Sequence, residues 1–276
     1  MEWLTLPYSF PFMQNAALIG AVIAVPAGLL SCFLVLRGWS LMGDGVSHAV
    51  LPGVVIAYML GAPLLLGAFV AGLTCALATG WLESNSRVKQ DTVLGVVMSG
   101  MFGLGIVLYT QIRSSLHLDH ILFGNMLGVG TDDLTLSFQI AAVVTLALVL
   151  TWKDLALIAF DPVQARVAGL RVRVLHYGLL VALSLTIVAM LSAVGIILSV
   201  SLLIAPGAIA FLITRRLSRM LVVAVGIALF ATQAGVLISF WLDASTAATI
   251  VLILTAIFTL VFIGQRIAAA RRAASA

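Results

Sequence analysis

Residues 174–214 read VLHYGLLVALSLTIVAMLSAVGIILSVSLLIAPGAIAFLIT, 41 consecutive positions without a charged side chain. About 20 apolar residues are enough for one helix to cross the hydrocarbon layer of a bilayer, so this stretch holds two crossings. Outward from it, uncharged stretches cover 3–36, 45–82, 92–112, 134–152, 220–242 and 244–265. The stretch 45–82, 38 residues long, also has room for a helical hairpin, and the others hold one span each. The sum is nine spans in an all-α, polytopic membrane bundle. Pro7 and Pro11 set residues 1–12 apart as a surface segment, with span 1 starting near Phe12. The count drops to eight if 196–213 is not an independent crossing, because Pro206 and Gly207 interrupt it.

Composition agrees. The 276 residues are 63% hydrophobic and 9% charged, against about 25% charged in a soluble domain, which excludes a water-soluble globule. No linker or low-complexity run divides the chain, so 1–276 reads as one membrane domain. Cys32 and Cys75 lie within apolar spans and are read as packing residues.

If odd-numbered spans run inward, one face receives 13 of the 14 basic residues and the other keeps only Arg113. Lys and Arg concentrate on the cytoplasmic side, so the amino terminus is expected outside and the carboxyl terminus in the cytoplasm. The pI of about 9.5 is then a signal of topology. Nucleic-acid binding is not expected, since no basic cluster is interleaved with base-stacking aromatics. A signal peptide is not expected either: Glu2 stands where a basic start belongs, and the first apolar run is too long.

Ionisable groups inside such a bundle cost about 2.5–3.5 kcal/mol each and mark function. The conspicuous ones lie in residues 43–53, GDGVSHAVLPG, at the inner end of span 2. Asp44 and His48 are four apart, so a helix places both on one face. Carboxylate and imidazole suit Mn²⁺, Fe²⁺ or Zn²⁺, and no thiolate is present to select Cu⁺. Two ligands fit a site of passage, or half of a site completed by a second subunit; the other reading is a pair that only satisfies itself within the bundle. A second group, His117, Asp119 and His120, falls in the outer loop after span 4 and is read as solvated loop residues, with metal capture as the alternative. His176 is read as interfacial, and Met98, Met101 and Met190 as packing.

The largest inner loop, 153–177, contains a short helix expected over 162–168. Asp161 is suited to its N-cap, Pro162 to its first position and Gly169 to its terminator. Such a helix either caps the bundle or offers a handle to a soluble partner. No energy source is encoded, because the only two lysines are followed by Gln90 and Asp154, and a P-loop requires Ser or Thr there. Neither a paired His-Glu zinc motif nor a Gly-x-Ser-x-Gly turn supports hydrolytic chemistry.

Residues 43–53, residues 122–128 (LFGNMLG), Phe160-Asp161-Pro162 with Ala165-Arg166, and residues 202–208 (LLIAPGA) together resemble the ABC-3 family, the membrane permeases of ATP-binding-cassette importers for manganese, zinc and iron. The resemblance runs nearly end to end. It implies a transport subunit without catalysis of its own, a homodimer of permeases, a dimer of cytoplasmic ATPases that hydrolyse ATP, and an extracytoplasmic metal-binding protein. It further implies a bacterial inner-membrane location and a divalent cargo, Mn²⁺ ahead of Fe²⁺ or Zn²⁺, with no tightly bound cofactor. The family's ion-contacting pair falls on Asp44 and His48. Its ATPase-docking segment falls on Asp161, Pro162, Gln164, Ala165, Arg166, Gly169 and Leu170. Gly45 stands where many relatives carry Ala, which is expected to loosen the backbone. An ion-coupled secondary carrier is the alternative, but no convincing internal repeat joins the two halves. An intramembrane metalloenzyme would need more ligands than this pair.

Overall fold

The computed structural model describes residues 6–111, 126–128 and 130–274. Its helices are α1 (Pro11–Arg37), α2 (Met42–Ala49), α3 (Leu51–Met59), α4 (Leu64–Asn85), α5 (Gln90–Gln111), α6 (Thr131–Phe160), α7 (Pro162–Val167), α8 (Val172–Ile213), α9 (Leu217–Leu242) and α10 (Thr246–Ala274). Single 3₁₀ turns occur at Pro7–Ser9 and Met126–Gly128, and there is no strand among the described residues.

The long uncharged stretch folds back on itself within α8. A straight helix would hold His176 and Gly207 about 46 Å apart. Yet His176 Nδ1 lies 3.0 Å from Arg37 Nη1, and Gly207 packs on the backbone of Ser31 and Cys32. Those points are only about 9 Å apart along α1. The reversal occurs at Gly195, whose φ of 77° and ψ of 179° depart from the helical region on both sides of it. Only glycine takes that conformation without steric cost.

Eight segments among the described residues are long and apolar enough to cross a membrane: α1, α4, α5, Leu134–Phe160 of α6, Val172–Leu191 and Ala193–Ile213 of α8, α9, and Thr246–Arg271 of α10. The ninth expected span is present as two pieces, α2 and α3, each too short to cross alone. This corrects the sequence reading in one respect. The interrupted crossing lies over 42–59, and the segment around Pro206 is a full-length helix. Pro52 has no N–H to donate to the carbonyl four residues back, that of His48, so the helical hydrogen bonding lapses at Val50, whose φ of −68° and ψ of −26° stay in the helical region.

α1 and α8 form the centre, meeting through fully buried Ile23, Leu30, Phe33, Leu183, Ile187 and Leu198. On one side α2 to α5 pack together and against α8; on the other, α6 and α9 pack on α1, and α10 closes against α8 and α9. Where helices press closest, small residues replace large ones: Gly53 and Gly67 bring α3 and α4 into backbone contact. Several buried hydroxyls are satisfied within their own helices, as where Ser47 donates to the Gly43 carbonyl at 2.7 Å and Thr186 to that of Ala182 at 2.8 Å, while Thr79 and Ser184 have no hydrogen-bond partner among the described residues. Met190 is fully buried in the core and Met101 packs against it.

One end of the bundle gathers the basic turns. There the end of α1, the last turns of α4 and the start of α8 converge. Arg37 lies 4.8 Å from the Trp39 ring centroid, and Glu83 interacts electrostatically with Arg37. The His176 ring meets Trp39 and Tyr177 edge-on, each at 5.2 Å. His176, read from the sequence as interfacial, is a half-buried member of this side-chain cluster.

Candidate functional site

The eight residues of α2 sort their side chains by face. Gly43, Gly45, Val46, Ser47 and Ala49 are buried, whereas the side chains of Asp44 and His48 keep 41% and 37% of their surface exposed. His48 Nε2 lies 3.4 Å from Asp44 Oδ1, one helical turn away. That separation is longer than a good N–H···O bond, so lone pairs on both groups are left for a third atom. The His48 ring also stands edge-on to Phe102 of α5, with centroids 5.7 Å apart.

The glycines on the buried side are there for packing. A Cβ on Gly45 would lie 2.6 Å from Leu94 Cδ1, and one on Gly43 would lie 3.2 Å from Leu203 Cδ1. Gly45 thus makes room for the buried Leu94; the expectation of a merely loosened backbone missed that neighbour. Phe102, Leu94 and Leu203 carry no polar mark in the sequence, and only the fold brings them to the pair.

The second element is α7. Asp161 Oδ1 accepts from the Val163 and Gln164 amides, 2.9 Å each, and Pro162 occupies the first turn. At the other end the Gly169 amide donates to the Arg166 carbonyl and the Leu170 amide to that of Ala165, both at 3.0 Å. With Gly169 at φ 79°, this is a Schellman termination. The helix is one residue shorter than expected, ending at Val167 with Ala168 as its cap. Ala165 is fully buried beneath it, while Asp161, Pro162, Gln164, Arg166 and Gly169 are exposed. Around these the sequence reading overlooked a set of apolar side chains, Phe160, Val163, Val167 and Val174, each more than 60% exposed. Four large apolar groups on and beside one short helix at a basic end form a patch that calls for cover.

Among the described residues no three His, Cys, Asp or Glu side chains come together as a metal-holding group. His117, Asp119, His120 and Leu122–Asn125 lie outside the described residues. Met126, from the remainder of the 122–128 motif, is buried, and its Cε lies 2.9 Å from where a Cβ on Gly20 would be.

A helical bundle with eight helices long and apolar enough to cross a membrane, a further interrupted one bearing a half-exposed carboxylate and imidazole, and a capped short helix outside them is the architecture of a multi-pass membrane protein. Residues 9–265 match the model of the ABC 3 transport family. The chain is 53% identical over 261 residues to the chelated iron transport system membrane protein YfeD of Yersinia pestis, covering 95% of this chain and 88% of the relative. It is 42% identical over 263 residues to the manganese transport system membrane protein MntB of Synechocystis sp., covering 95% and 86%. Among solved structures it is similar to PsaBC from Streptococcus pneumoniae in complex with Fab, with a TM-score of 0.83, 36% identity, and coverage of 95% of this chain and 94% of that one. The chain belongs to the ABC 3 transport family. These relatives are named as membrane proteins of iron and manganese transport systems, and a further one, 39% identical over 253 residues, as the manganese import system permease protein ScaB of Streptococcus parasanguinis.

Proposed function

We propose that the chain, a single permease domain, imports a divalent transition-metal ion, Mn²⁺ in the first place and then Fe²⁺ or Zn²⁺. The driving force is ATP hydrolysed by a separate cytoplasmic ATPase dimer, and the ion is delivered by an extracytoplasmic metal-binding protein. The observation that carries this reading is the half-exposed pair of Asp44 and His48 on the broken helix. Oxygen and nitrogen ligands on one face suit these ions, and so small a ligand set lets an ion leave. The relatives' names, which refer to iron and manganese, support the choice of cargo. A two-fold axis would bring two such pairs together, giving four ligands from a homodimer.

The loop 153–177 docks the ATPase, with Asp161, Pro162, Gln164, Ala165, Arg166, Gly169 and Leu170 forming or shaping the docking element. Its support is the rigid capping of α7 and the exposed Phe160, Val163, Val167 and Val174 beside it. The distribution of Lys and Arg favours a bacterial inner-membrane orientation with the amino terminus outside and the carboxyl terminus in the cytoplasm.

The test is uptake of radioactive Mn²⁺ by proteoliposomes holding permease, ATPase and loaded binding protein. Asp44→Asn and His48→Ala should each reduce uptake at least tenfold while the complex still assembles. Normal uptake by both, uptake without the ATPase, or one permease copy per active complex would overturn the proposal in its respective part.

A further inference from the structure

The two sides of the bundle differ in how well they close. α6 and α9 both pack on α1, but the space between them stays open as a groove of about 400 Å³. Its floor is Leu29 and Phe33 of α1, and its walls are Leu148 and Trp152 of α6 and Leu221 and Val225 of α9. A second cavity of about 450 Å³, sharing Val25, Thr145 and Val149 with the first, continues it between α1 and α6 as far as Phe138. From Trp152 to Phe138 the wall rises about 21 Å. This exceeds half of the roughly 30 Å hydrocarbon layer, so an acyl chain from one leaflet fits along it.

The groove's mouth is polar and basic. Ser218 and Trp152 line it at the end where the basic turns gather. The Lys153 ammonium lies 5.8 Å from the centroid of the Trp152 ring. Arg219 is exposed and sits one turn before the lining Val222, on the same side of α9. Arg215 and Arg216 occupy the turn just before, and Asp154 is the one acidic neighbour in sequence. An apolar channel of acyl length beneath an excess of cationic groups is complementary to one molecule in a membrane, an anionic phospholipid with its phosphate at the mouth. The groove also lies on the side of α1 away from α2 to α5, and so apart from Asp44 and His48. We infer that the channel between α6 and α9 is a binding site for an anionic glycerophospholipid, held by Lys153 and Arg219 at its headgroup and by Trp152, Leu148 and Leu221 along its chain.

The test reconstitutes the full chain in phosphatidylcholine vesicles with graded fractions of phosphatidylglycerol whose acyl chains carry bromine, a contact quencher of tryptophan. The Trp152 signal is obtained by difference from Trp152→Phe. Half-quenching should need about ten- to thirtyfold less brominated phosphatidylglycerol than brominated phosphatidylcholine. The double variant Lys153→Gln/Arg219→Gln should erase that preference, Arg87→Gln/Lys89→Gln should leave it, and Thr145→Phe, which fills the channel, should reduce quenching by both lipids. Lys153, Arg219, Arg87 and Lys89 are exposed, and Trp152, partly buried, is exchanged for another aromatic ring, so folding is preserved. Equal quenching by the two lipids, or equal loss in the Arg87/Lys89 variant, would overturn the assignment. So would cross-linking of two copies through a cysteine placed at Val149, which would make the channel an interface. None of these readouts depends on ATP or metal.

Discussion

The molecule contains the same dipeptide, proline then glycine, in two crossings, and treats it in opposite ways. Pro52-Gly53 coincides with a break between α2 and α3, whereas Pro206-Gly207 lies inside an unbroken helical half of α8. In both places the glycine lets another backbone approach, Gly67 in one case and Ser31 in the other. The difference lies upstream. Before Pro206 run Leu198, Leu202 and Leu203, all fully buried and good helix formers. Before Pro52 come Gly43 and Gly45, poor helix formers, in a helix of only eight residues, so the lost hydrogen bond falls on a segment with little helix propensity of its own. Proline interrupts the helical hydrogen bonding where the residues before it favour a helix least, and here that is directly after the half-exposed Asp44 and His48.

The strongest way to break this comparison is at the glycines, where the two sites should behave alike. Gly53→Val and Gly207→Val each drive a side chain into a backbone carbonyl that has nowhere to go. Both should cost about 3 kcal/mol or more, read as loss of membrane-inserted protein and of the thermal unfolding transition. Tolerance at either position would mean that its helix pair can separate.

The prolines should behave differently. Pro52→Ala supplies the missing donor to the His48 carbonyl, worth about 1 kcal/mol, and should join α2 to α3. Amide exchange over 48–56 should slow several-fold, with metal uptake reduced because the pair is then held on a stiffer helix. Pro206→Ala should change exchange little, since that helix already runs unbroken through the proline. Equal slowing in both variants would remove the distinction.

The smallest expected effects sharpen the contrast between membrane and surface. Asp161→Ala removes a cap worth about 1 kcal/mol to α7. Gly169→Val forces a β-branched residue to φ 79°, at about 1–2 kcal/mol. Neither should alter insertion, because α7 is mostly exposed, and both should lower ATP hydrolysis stimulated by loaded binding protein. Wild-type stimulation in both would show that α7 only caps the bundle.

Much of this could be read directly from residue order. Lipid forces each crossing into a long uncharged run, so the crossings were visible as lengths, and the 41-residue stretch had to contain a reversal. α7 was equally legible, because Asp161, Pro162 and Gly169 act through local backbone chemistry. Asp44 and His48 were found together because helical spacing alone brings them to one face. What was not legible depends on partners distant in sequence. Leu94 against Gly45 and Phe102 against His48 are tertiary facts, and identical Pro-Gly pairs cannot reveal which neighbour holds a helix straight. The patch of Phe160, Val163, Val167 and Val174 was hidden for another reason: among so many apolar residues, four more attract no notice until their exposure is known.

The reversal at Gly195 also bears on how the chain enters a membrane. Most hairpins of crossings oblige the insertion machinery to carry a polar loop through the hydrocarbon before the second helix can settle. Between Leu191 and Ile196 there are only Ser192, Ala193, Val194 and Gly195, and no charge occurs anywhere from 174 to 214. Both arms can leave the translocation channel side by side as one hydrophobic unit, anchored at the same end by Arg171 and Arg173 before them and Arg215 and Arg216 after them. For this part of the chain, biogenesis is a matter of pairing two helices, with no hydrophilic cargo to export.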